Sequence, residues 1–138
     1  MKLRSPLVAC LLLACAASCA RFERISECRG LAQTLNGHMD EIEATSKGKE
    51  TPETFAKLAK SYTRLADEVS ALPAAKGAAS AQVADHVEIL RSAAKSSRDT
   101  SEALKAGARI DAPRKELDRL SRKDKMSAQK LEAYCHAP

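Results

Sequence analysis

Residues 52–72, PETFAKLAKSYTRLADEVSAL, decide the fold. Phe55, Leu58, Tyr62, Leu65, Val69 and Leu72 recur at steps of three, four, three, four and three. That is the period of an apolar stripe along an α-helix, not the alternation of a strand. Thr51-Pro52 places a capping hydroxyl before a proline at the first helical position, where the missing N–H would have had no intrahelical partner. Pro73 ends the run.

The same period extends outward on both sides. Residues 21–46 form a first segment with Ile25, Cys28, Ala32, Leu35, Met39 and Ile42 on its stripe, widened by Phe22 and Leu31. Asn36-Gly37 interrupts it at a cost of about 1 kcal/mol, and residues 46–51 are a polar loop. After a connector at residues 73–77, a third segment covers 78–106, with Val83, Val87, Leu90, Ala94, Ser97, Ser101 and Leu104 on one face and Gly107 as its C-cap. Its second half carries Ala and Ser where Leu would be expected, so neighbouring backbones approach closely. Asp111-Ala112-Pro113 restarts the chain into a fourth segment, 113–136, with Leu117, Leu120, Ala128, Leu131 and Tyr134 inward and Asp124 and Ser127 interrupting the seam.

Four amphipathic helices joined by short loops predict an all-α fold, an antiparallel up-down-up-down four-helix bundle. An extended, oligomerising coiled coil has the same three-four signature. Pro73 and Pro113 argue against one continuous rod, so a monomer is expected. The 138 residues suffice for one domain. Aromatics make up 3% of the chain and Trp is absent, which leaves little to stack on bases or sugars.

Met1 to Arg4 carries two positive charges, and residues 7–17 are apolar and uncharged. This is the layout of a signal peptide over residues 1–18, followed by one helical domain at 19–138. The apolar run is too short for a bilayer core, which needs about 20 residues. Leu11-Leu12-Leu13-Ala14-Cys15 resembles the lipobox of bacterial lipoproteins, and Ala16-Ala17-Ser18-Cys19 is a second, weaker match. The resemblance implies cleavage before Cys15 or Cys19 and acylation of that cysteine, with several chains giving a stable membrane anchor. Ala16 follows Cys15 and Ala20 follows Cys19, so neither is followed by Asp. By resemblance to enterobacterial sorting, this implies the periplasmic face of the outer membrane. Plain secretion after Ser18-Cys19-Ala20 is the alternative.

With the leader removed, Cys28 and Cys135 are the cysteines of the helical body. An up-down-up-down bundle brings the start of its first helix and the end of its last to one end, and an oxidising periplasm then favours a disulfide. Two buried free thiols are the competing arrangement. Cys28, Cys135, His86 and His136 at one end would also make a zinc set, but no C-x-x-C or H-x-x-x-H pair preassembles it, and His86 and His136 are expected to be solvated. Cys135-His136 near the end of a fourth helix resembles the haem attachment of cytochromes c-prime, yet Glu132 stands where that motif has its first cysteine.

No G-x-S-x-G, H-E-x-x-H or phosphate-binding glycine loop occurs, and neither an enzymatic activity nor a cofactor or metal is expected. The net charge of +5 falls to +3 without Lys2 and Arg4. The mixed, mostly basic fourth segment reads as a solvated face able to meet anionic lipid headgroups or envelope polymers, and nucleic acid is excluded for an exported chain. The sequence thus points to an envelope scaffold, adaptor or accessory protein, with a periplasmic carrier of a small ligand or metal as the alternative.

Overall fold

The structure, a computed structural model, describes the backbone of residues 6–137 and the side chains of residues 19–137. Four helices follow in order: α1 (Pro6–Ser46), α2 (Pro52–Ala71), α3 (Ser80–Lys105) and α4 (Asp111–His136), with a 3-10 turn at Pro73–Ala75 between α2 and α3. No strand occurs among the described residues.

Local chemistry sets most of these limits. The Thr51 hydroxyl accepts the Thr54 N–H at 3.2 Å, capping α2 ahead of Pro52. Gly107 has φ +65°, and the Gly107 and Ala108 N–H groups donate to the Leu104 and Ala103 carbonyls, a left-handed C-terminal cap that glycine adopts without a Cβ penalty. Two starts differ from the sequence reading. Helix α4 begins at Asp111, not Pro113, because a proline in the first turn lacks only an N–H that would have no partner there. Helix α1 runs back to Pro6 instead of starting at Arg21, and Gly37 does not break it.

Cross-helix pairs give the topology. Glu41 meets Ser61, His38 meets Glu68, and Glu27 approaches Gly77, so α1 and α2 run antiparallel. Ser101 bonds the Pro52 carbonyl and Arg91 pairs with Asp67, which does the same for α2 and α3. Ser96 bonds the Pro113 carbonyl and His86 faces Asp124 across α3 and α4. Cys28 is disulfide-bonded to Cys135, their Cα atoms 5.9 Å apart, and Arg24 reaches the Ala137 carbonyl. The chain is therefore an up-down-up-down bundle closed by one disulfide.

The core runs along α2 and α3. Leu65, Val69 and Val83 are fully buried, and burial of each contributes roughly 1.5–3 kcal/mol. The small residues of α3 let hydroxyls bridge to neighbours: Ser101 ties α3 to the start of α2, Ser96 ties it to the first turn of α4.

The faces of α1 and α4 depart from the expected ones. On α1 the buried positions are Leu31, His38 and Ile42, with Leu35 half-buried, whereas Ala32 is exposed, Met39 is 40% exposed and Ile25 52%. For much of its length α1 packs chiefly against α2, so the covered stripe is narrower than expected: Leu35 and Ile42 stay on it, while Leu31 and His38 take the inward places expected of Ala32 and Met39. Phe22, 76% exposed, lies beyond the level at which Arg24 meets the end of α4. On α4 the inward line is Leu120, Asp124, Ser127, Leu131 and Tyr134, and Ala128 is exposed. The polar residues there occupy the seam itself.

Candidate functional site

Helices α1 and α4 meet closely at one end of the bundle and separate towards the other. At the near end, the Tyr134 hydroxyl donates to Glu27 Oε2 at 3.2 Å, and Arg24 lies 5.4 Å from the centre of the Tyr134 ring, beside the disulfide. At the far end, Arg114 in the first turn of α4 grips Glu50 in the α1–α2 loop, Nη2 to Oε1 at 2.7 Å and Nη1 to Oε2 at 3.2 Å. Between these two bridges lies a cleft of about 420 Å³ walled by all four helices. Met39, Ile42, Phe55, Leu58, Leu117 and Leu120 supply its apolar walls, and Tyr62 and Asp124 stand at the inner end.

Beside the cleft, His86 is 3% exposed, with its Nδ1 3.4 Å from Asp124 Oδ1. The two atoms are close enough for charge to matter, yet neither has a hydrogen-bond partner. Burial pushes the His86 pKa down, with the Asp124 charge opposing, so the imidazole is neutral at neutral pH. Burial likewise raises the Tyr62 pKa, aided by Asp124, and the phenol keeps its proton. On the cleft wall, Ser97 Oγ is also buried without a partner.

A second histidine ties the other pair of helices. His38 Nε2 sits 2.7 Å from Glu68 Oε2. A carboxylate only accepts, so the imidazole donates. His38 and Arg64 together hold the Glu68 carboxyl below its ordinary range.

The structure joins Cys28 to Cys135 but does not gather the wider set proposed for zinc. Both sulfurs are spent on each other, His86 faces Asp124, and His136 is exposed at the end of α4. The expectation that His86 is solvated is corrected, because α3 is flanked by α2 and α4 and its two packed faces leave position 86 no path to water. Cys19 is an exposed free thiol, while the side chain of Cys15 lies outside the described residues. Among the described residues, no group of three or more His, Cys, Asp or Glu is arranged to hold a metal ion, and no helix is long and apolar enough to cross a membrane. Sequence reasoning missed the His38–Glu68 pair, although Leu31, Leu35, His38 and Ile42 do follow helical spacing. It also missed the cleft, which has no local signature.

No family model, no curated protein and no solved structure matches the chain.

Proposed function

We propose that this protein is a non-enzymatic lipoprotein of the bacterial cell envelope, a scaffold, adaptor or accessory subunit held by acyl chains on Cys15 or Cys19 at the periplasmic face of the outer membrane. The observation that carries this reading is the Cys28–Cys135 disulfide, a bond that persists in oxidising compartments and not in a reducing cytosol. It sits behind a leader whose sequence resembles a lipobox. Cys19 lies nine residues before Cys28 on one continuous helix, about 14 Å at 1.5 Å per residue. An anchor there would stand the bundle close to the bilayer on its disulfide-bonded end. His38 is hydrogen-bonded to Glu68 and His86 faces Asp124, each across a helix pair, which suits a structural role for them. Partners of this scaffold are envelope proteins or anionic envelope polymers, met through the charged outer faces of the bundle.

Intact mass of the native protein under non-reducing conditions tests the reading. Loss of the residues before Cys15 or Cys19, added acyl mass, and two hydrogens fewer than the dithiol form are expected, and substitution of the acylated cysteine by Ala abolishes the added mass. An unacylated chain starting near Arg21 would instead make the protein a plainly secreted one.

A further inference from the structure

We propose that the cleft between α1 and α4 binds a small amphiphilic cation, its apolar chain along Met39, Ile42, Phe55 and Leu58 and its ammonium head at Asp124. This inference does not depend on the membrane anchor. The cleft lies away from the disulfide at Cys28 and Cys135, two residues of the zinc set weighed and set aside in the sequence.

Size and shape come first. A volume of about 420 Å³ lies within the ~300–1,000 Å³ typical of small-molecule sites, which are mostly apolar with a few convergent polar groups. The α4 wall from Arg114 to Asp124 advances ten residues, about 15 Å of helix, enough for an extended chain of eight carbons. Both ends of the seam are pinned, by the disulfide and by the Glu50–Arg114 ion pair, so the opening is built into the fold.

Charge then selects the head group. Glu43, Glu50, Asp118 and Asp124 line the cleft against Lys49 and Arg114. Arg114 is committed to Glu50, and Glu43 is paired with Lys47. Asp118 and Asp124 remain against the single charge of Lys49. Asp124 closes the inner end, keeps 32% of its side-chain surface open, and has no lysine or arginine within ion-pair distance among the described residues. The Asp124 carboxylate stands beside an apolar wall. An anionic guest would be repelled there, and a neutral hydroxyl would offer a hydrogen bond without the charge. An ammonium supplies charge and N–H donors together.

Met39 offers a direct readout. It lines the cleft, whereas Met126 is exposed on α4 outside it. The full-length protein, labelled with 13C at the methionine methyls, is titrated in turn with n-octylammonium, n-octanol and n-octanoate. The Met39 methyl should shift saturably with Met126 unmoved, and octylammonium should bind about tenfold more tightly than octanol, as a charge-assisted hydrogen bond predicts, with octanoate weakest. Asp124→Asn should bring octylammonium to the affinity of octanol and leave octanol unchanged. Octanol or octanoate binding as tightly as octylammonium overturns the proposal, as does the absence of a saturable Met39 shift or an equal shift at Met126. The ranking of the three compounds on the unaltered chain decides the matter even if the variant fails to fold.

Discussion

His86 on α3 and Asp124 on α4 face each other at 3.4 Å, with both atoms sealed from solvent and neither hydrogen-bonded. Burial outweighs the attraction of Asp124, and the folded-state pKa of His86 lies below its ordinary value. A group depressed in this way contributes stability that is present above its unfolded value, about 6.5, and is lost as pH falls through the folded value. Urea unfolding at pH 7 and pH 5 should show a weaker protein at pH 5, and His86→Gln should flatten that slope. An unchanged slope in the variant would assign the loss to other groups. The carboxyls of Glu43, Glu68 and Glu116, held low by Lys47, His38 and Arg119, act in a separate and more acid window, below their ordinary value near 4.5.

The Cys28–Cys135 bond closes a loop of sequence separation 107, for which chain entropy predicts about 5 kcal/mol of stabilisation. That is a large share of the ~5–15 kcal/mol of a typical domain. Cys28→Ser and Cys135→Ser should lower the melting temperature by similar amounts, and the double variant should add little. Additive losses by differential scanning calorimetry would mean that the two sulfurs act independently.

Gly37 lies inside α1, and a Cβ built on it meets nothing within 4 Å. Gly37→Ala should therefore stabilise the protein by about 1 kcal/mol, through helix propensity and a less flexible unfolded chain. A loss of stability in denaturant titration would reveal a constraint on this helix beyond its local conformation.

Gly107 has equally open surroundings but φ +65°, and the outcome reverses. Gly107→Ala forces a Cβ into the left-handed region and should cost roughly 1–2 kcal/mol. The α3–α4 connection carries that strain, so hydrogen exchange at Ala108 should accelerate with it. Equal effects at Gly37 and Gly107 would show that backbone sign does not decide between them.

The stripe from Phe55 to Leu72 made α2 legible because its period, its Thr51 cap and its Pro73 stop all agree. Gly107 was legible as a cap for a similar local reason. The inward turn of Leu31 and His38 in place of Ala32 and Met39 was not, since all four suit some helical face, and the choice depends on where α2 lies. Ala128 was misplaced in the same way: Ser127 takes the inward position and Ala128 is exposed, a choice set by where α3 lies and not by side-chain polarity. His86 looked like a surface residue for as long as only its own helix was in view.

The helical period, the Thr51 and Gly107 caps and the short loops are local properties, and the amino-acid order alone determined them: they leave few ways to connect four antiparallel segments, and those few bring Cys28 and Cys135 to one end. Which faces turn inward, the burial of His38 and His86, and the opening between α1 and α4 were decided by tertiary structure. An α-helix presents every side chain somewhere on its circumference, and only the number and placement of its neighbours settle which of them lose contact with water.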